Sequence, residues 1–326
     1  MSAANPQSTN ERCTLWIVGC GDLGSAVGHL ALAAGWDVFA TRRQADRIPD
    51  GFRRWPADVS SKEPDGLTAP GRCDALLYSV AASERSNEGY AAAYRDGLGN
   101  TVAALARGGL CPDRALFVSS TSVWKGEGGT WIDELTPARP GDGPSARILE
   151  AEQLLARSFP PAVHTTSARL GGIYGPGRTA LVREAARSRS SQPDPELPDP
   201  YTNRIHRDDA ARALWYLLNH PEPPELVAVV DDHPSLRSVV LDYISEQLGP
   251  HLTAQLESGS KDLAPANKTR PRANRRISNR LLRSTGFDLR YPSYREGYAS
   301  LLGSAKAVEA ALALPNQLGH GGANQR

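Results

Sequence analysis

The chain has 326 residues and a formal net charge of +1, with 37 basic and 36 acidic side chains. That balance supplies no field to hold a nucleic-acid backbone or an anionic membrane. With 40% hydrophobic and 22% charged residues and a mean hydropathy of −0.42, the composition excludes a disordered or membrane-spanning chain and fits one large α/β domain with an appended lobe.

Residues 1–12 are polar and read as a tail. Met1 to Asn10 carry neither a basic nor an apolar stretch, so no secretory leader and a cytoplasmic location are expected. Residues 14–18 (TLWIV) form a short apolar strand, and Leu23, Val27, Leu30 and Ala34 then recur at helical spacing up to Gly35. Strands follow at 37–41, 53–57, 75–80, 115–119 and 165–170. Between them, Tyr90, Tyr94, Leu98, Val102 and Leu105 mark one helix and residues 146–155 another. This alternation predicts a doubly wound parallel sheet covered by helices on both faces. Residues 188–201 are rich in Ser and Pro and read as a linker. Beyond it come a helix at 208–218, a strand at 226–230, a helix at 236–248, a basic irregular stretch at 261–276, a terminal helix at 294–314 and a tail at 316–326. The expected division is a domain over 13–180 and a smaller substrate lobe over 181–315, with segments around 203–231 returning to the core. Cys13, Cys20, Cys73 and Cys111 form no C-x-x-C and suggest free thiols; no metal site is expected.

Gly19, Gly21 and Gly24 complete G-x-G-x-x-G directly after the first strand and at the start of a helix. In that context the first glycine permits the tight turn and the second lets backbone approach a pyrophosphate. The third allows close helix–strand packing, and the amides at Asp22, Leu23 and Gly24 face the phosphates. An acid at the end of the second strand would bind the ribose hydroxyl of NAD(H). Here that strand ends in Thr41, Arg42 and Arg43, while Asp37 stands at its opposite end. A guanidinium there pairs with a 2′-phosphate, so NADP(H) is expected over NAD(H).

Five segments together resemble the NAD-dependent epimerase/dehydratase family, the extended and atypical branch of the short-chain dehydrogenases/reductases. They are the glycine motif, Tyr78-Ser79-Val80-Ala81, Ser119-Ser120-Thr121-Ser122-Val123-Trp124, the run from Arg169 to Arg178 (RLGGIYGPGR), and the run from Asn203 to Ala210 (NRIHRDDA). The resemblance covers about residues 14–315 and implies a Rossmann fold with a smaller carboxy-terminal substrate lobe. It implies that Ser79, Val80, Ala81 and Ser119 flank the cofactor and that Asp58 and Val59 lie near its adenine. It further implies that Ser120 holds the catalytic Ser position, with Tyr174 in the loop over the nicotinamide. Thr121, Trp124, Lys125, Arg178, Arg204 and His206 are the expected substrate neighbours. A small-molecule substrate and a homodimer through helices around 90–107 and 146–157 are also implied.

The sequence departs from the family where its chemistry is usually carried. The resemblance implies a Tyr and a Lys four residues later, but those positions fall on Pro144 and Ile148, and no tyrosine of the chain has a lysine four residues on. Ser120, Tyr174, Lys125, His206 and Arg147 are the remaining polar candidates for a proton donor. The leading reading is therefore an NADP(H)-linked oxidoreductase or epimerase-like protein acting on a carbonyl or alcohol of a small or sugar-like substrate. The alternative is a non-catalytic NADP(H)-binding sensor. Asp208 and Asp209 are expected to cap a helix. The basic run at 268–276 could take a phosphate, but a solvated loop is the simpler expectation.

Overall fold

β1 (Thr14–Val18) is buried along its whole length, and its alternate residues enter two different cores. Leu15 and Ile17 point to one face and Trp16 and Val18 to the other. Such two-sided burial demands an apolar run rather than an alternating one. Each large apolar side chain buried here contributes about 1.5–3 kcal/mol. The computed structural model describes residues 12–62, 64, 66–141, 143–188, 199–258 and 273–303. The expected tails, most of the 188–201 linker, residues 261–272 and the end of the terminal helix lie outside them.

β1 joins β2 (Asp37–Thr41), β3 (Arg53–Arg54), β4 (Ala75–Tyr78), β5 (Arg114–Ser120), β6 (His164–Leu170) and β7 (Leu226–Val229) in one parallel sheet. The spatial order is 7-6-5-4-1-2-3. It reverses between β1 and β4, and ligands of open α/β sheets bind at the carboxyl ends of the strands at such a reversal. The chain is thus the doubly wound Rossmann fold its sequence predicts.

Helices α1 (Asp22–Ala33) and α4 (Arg207–Asn219) pack together on one face of the sheet. Helices α2 (Gly97–Arg107) and α3 (Pro144–Ser158) cover the other. The helix expected around Tyr90 is continuous from Asn87 but widens into a π turn over Ala91–Asp96. The Tyr78 hydroxyl inserts there, donating to the Ala93 carbonyl at 2.5 Å, and Gly97 has no Cβ to obstruct it.

A third core gathers Tyr174, Val182, Val240, Ile244, Tyr294 and Tyr298 beside the sheet. Three short strand pairs stitch distant segments together: Gly172–Tyr174 with Arg204–His206, Tyr201–Thr202 with Ser235–Leu236, and Thr130–Ile132 with Arg275–Ile277. The last of these corrects the expectation of irregular chain up to residue 276. The sequence reading also missed the helix Ala180–Ser188.

Candidate functional site

The turn from β1 into α1 assigns a separate task to each glycine. Gly19 has φ +90°, and a Cβ there would lie 2.5 Å from the Val80 amide nitrogen. A Cβ on Gly24 would sit 2.9 Å from the Gly19 carbonyl and 3.0 Å from Ile17, so its absence lets helix and strand close up. At Gly21 a Cβ would meet nothing within 4 Å. That open flank lies at the helix N-cap, where no side chain caps the first amides. Uncapped amides beside open space fit a dinucleotide pyrophosphate.

The loop is tied to its neighbours. The amides of Gly19 and Cys20 donate to the Thr41 carbonyl, and the Ser79 hydroxyl donates to the Gly19 carbonyl at 2.8 Å. Val80 is half-buried against the core and Ala81 is exposed. Arg42 folds back over the loop, its Nη1 donating to the carbonyls of Cys20 and Arg47 at 3.3 Å. Burial, then repulsion from Arg47, lowers its pKa. Arg43 is exposed beside it. Val59 enters the core, and its carbonyl accepts from Asn100, while Asp58 is exposed and caps the turn at Ser60. Leu23 turns its side chain into the core, leaving only backbone for a ligand.

Arg178, an expected substrate neighbour, is engaged by Asp22. Asp22 does not cap α1. Its carboxylate accepts from Arg178 Nε at 2.8 Å and from Arg207 Nη1 at 3.1 Å. Arg178 therefore closes over the glycine loop instead of reaching a substrate. Arg207 also donates to Asp208 at 2.7 Å, so the two guanidiniums are balanced by two carboxylates beside the helix N-terminus.

Ser120 is the last residue of β5, at the carboxyl end of this interior strand. Its hydroxyl accepts from the Ser122 amide at 3.1 Å, which leaves its own hydrogen to donate. The neighbouring Ser119 faces the opposite way. It is buried and donates to Glu152, which also holds Arg169 through bonds of 2.9 and 2.6 Å. Pro144 begins α3, and Ile148 is packed into the core.

Tyr174 as a proton donor is corrected by the structure. It is 1% exposed, its hydroxyl donates to the Ser293 carbonyl, and its ring stacks on Tyr298 at 4.6 Å. Burial, reinforced by Asp231, pushes its pKa far up. His206 as a substrate contact fails for a similar reason. It is 3% exposed, packs between Tyr174 and Tyr291, and caps α4 by accepting the Asp208 amide on Nδ1. Burial lowers its pKa, outweighing Asp208 and Asp209. Asp209 leaves the expected cap, accepting instead from the amides of Arg290 and Tyr291. Arg147 is occupied by Asn87 and Glu150. Arg204 lies beside Asp231 and Tyr298 in the small lobe.

Directly beyond Ser120 opens a cleft of about 390 Å³ bordered by Thr121, Ser122, Lys125, Tyr201, Asn203 and Arg275. Of the five proton-donor candidates Lys125 lines this cleft, which begins one residue past Ser120 at the end of β5. Trp124 touches the cleft but is 1% exposed. Its indole donates to the Thr136 carbonyl, and Arg169 lies 4.3 Å above its ring, so it packs rather than presenting a face. Thr121 is buried and gives its carbonyl to Arg275 at 2.7 Å. Sequence reasoning missed Tyr201, Asn203 and Arg275 as one site. The only local signal was the basic run ending at Arg276. Among the described residues no group of three His, Cys, Asp or Glu could hold a metal, and no helix is long and apolar enough to cross a membrane.

No family model and no curated protein matches the chain. Solved structures do. A protein from Methylobacillus flagellatus, assigned to the NAD-dependent epimerases/dehydratases, is 35% identical with a TM-score of 0.73, covering 91% of this chain and 100% of its own. A functionally unknown conserved protein from Silicibacter pomeroyi is 27% identical with a TM-score of 0.63, over 89% of this chain and 98% of its own. The Thermus thermophilus UDP-glucose 4-epimerase, solved with NAD, shares the fold at 19% identity and a TM-score of 0.66, over 87% of this chain and 96% of its own. On the first of these likenesses, carried along nearly the whole length of both proteins, this chain belongs to the NAD-dependent epimerase/dehydratase family.

Proposed function

We propose that the chain binds NADP(H) between the glycine loop and Ser79–Ala81 and acts as an oxidoreductase on a carbonyl or alcohol of a small or sugar-like substrate. The observation that carries the cofactor reading is Arg42, folded over the glycine loop at a strand end that holds no acid. A 2′-phosphate would offset both the burial and the repulsion that this guanidinium bears. When bound, the nicotinamide supplies or accepts the hydride. Ser120 holds the substrate oxygen with its free hydroxyl hydrogen and stabilises charge that develops there. Lys125, which lines the cleft that begins one residue past Ser120, is the basic group left to move a proton once Tyr174, His206 and Arg147 are occupied elsewhere. Pro144 and the buried Ile148 favour a second reading, a sensor that binds NADP(H) without turnover.

Paired titrations with NADPH and NADH, followed by tryptophan fluorescence, test the cofactor reading. Arg42→Ala should weaken NADPH at least tenfold and leave NADH within about twofold, since one charge-assisted contact is worth about 1.5–3 kcal/mol. Equal loss for both would refute it. Ser120→Ala separates the two functional readings, because only an enzyme loses turnover while retaining NADPH affinity.

A further inference from the structure

Two arginines are buried near the carboxyl end of β5, and only one has a counter-charge. Arg169 is held by Glu152 through two short bonds. Arg275 is 8% exposed and has no ion-pair partner among the described residues. Its Nη2 donates to the Thr121 carbonyl, while its Nε is buried without any acceptor. A guanidinium taken out of water at this depth, with only a neutral carbonyl to answer it, is costly unless an anion arrives.

The surroundings hold Arg275 in place for such a partner. Its strand Arg275–Ile277 pairs with Thr130–Ile132, and Asn203 binds the Arg275 carbonyl and the Ile277 amide on either side. Gly126 lets this strand approach closely, since a Cβ there would lie 2.7 Å from Arg275 Cβ. Arg275 borders the cleft beyond Ser120, and so does Lys125, which likewise has no ion pair among the described residues. Among the described residues no carboxylate borders that cleft. Two cations facing about 390 Å³ of open space make a built receptor for one small oxyanion.

We propose that the cleft receives the carboxylate or phosphate group of a small anionic substrate, with Arg275 as the residue that selects for it. This rests on the reading that Ser120 marks the reacting end of the same cleft. The selected substrate would carry its anionic group a few bonds from the carbonyl or alcohol carbon.

The test uses the full chain in 150 mM salt, with inorganic phosphate and pyruvate titrated separately by calorimetry. Wild type and the Arg275→Met, Arg275→Lys and Lys125→Met variants are compared, each also titrated with NADPH. At least one probe should bind wild type, and Arg275→Met should weaken it tenfold or more. Arg275→Lys should recover part of the loss, and Lys125→Met should weaken binding about threefold. Phosphate-only binding assigns a phosphomonoester, and pyruvate-only binding assigns a carboxylate. The unliganded melting temperature of Arg275→Met should equal or exceed that of wild type, because an uncompensated buried charge has been removed. If this variant does not fold, Arg275→Lys and Lys125→Met carry the test. No binding of either probe at millimolar concentration, or equal binding by the variants, overturns the proposal. NADPH affinity unchanged across this series keeps such a failure separate from failure of the cofactor reading, which Arg42→Ala addresses.

Discussion

Removing the Glu152 carboxylate should reveal how much the site depends on a buried charge pair. Glu152 and Arg169 have side chains only 8% and 4% exposed, and Glu152 accepts from both Arg169 nitrogens and from Ser119. Breaking a buried pair from one side costs about 3–5 kcal/mol, because the remaining charge is stranded. The Trp124 ring 4.3 Å beneath Arg169 offsets part of this, by about 0.5–2 kcal/mol. A net loss of about 3 kcal/mol is therefore expected for Glu152→Ala. At about 2–4 °C per kcal/mol for large domains, the melting temperature should fall by roughly 6–12 °C. The pair Glu152→Leu with Arg169→Met removes both charges and should return to within about 1 kcal/mol of wild type. Thermal and urea unfolding, read by circular dichroism, give both numbers. A fall under about 2 °C for Glu152→Ala, or a double variant no better than the single one, would refute the argument.

The glycine loop allows a sharper separation of folding from binding. Gly21→Ala has open space for its methyl and should leave the melting temperature within about 2 °C, yet weaken NADPH at least tenfold by entering the pyrophosphate approach. Gly19→Ala should lose at least 1–3 kcal/mol of stability as well, from its φ of +90° and its clash with Val80. Equal behaviour of the two variants in melting would count against these assignments. His206 gives a pH signature. Burial holds its folded pKa below the ordinary value of about 6.5, so the unfolded chain binds the proton first on acidification. Its effect is absent above about pH 6.5, and stability is lost as the pH falls below it. Melting curves from pH 7.5 to 5 should therefore drop less steeply in His206→Asn, which keeps an acceptor for the Asp208 amide; parallel slopes would exclude His206 as the source.

Most of what depends on near neighbours was legible in the sequence, with the helix Ala180–Ser188 an exception. The apolar run of β1, the glycine spacing and the helical period of α1 are settled by sterics and burial within some 30 residues, and they carry the fold. That no tyrosine has a lysine four residues on was equally plain, since residue identity and spacing are read directly from the chain. Side-chain direction was not legible. Ser119 and Ser120 are adjacent on β5, yet the pleat sends one to Glu152 and the other to the Ser122 amide. Tyr174 looked like a loop hydroxyl over the cofactor, but the third core takes its ring and its hydroxyl donates to the Ser293 carbonyl.

The sequence by itself determined the Rossmann scaffold and the glycine turn, because period and glycine sterics are local properties. Only the tertiary structure decided what borders the cleft beyond β5. Thr121, Tyr201 and Arg275 lie far apart along the chain, and their segments meet where Arg275 donates to the Thr121 carbonyl and the Tyr201 amide donates to Asn274 Oδ1. Whether an arginine is paired, solvated or left waiting for an anion depends on those long-range contacts, since burial and counter-charge are properties of the packed molecule and not of a residue's neighbours in sequence.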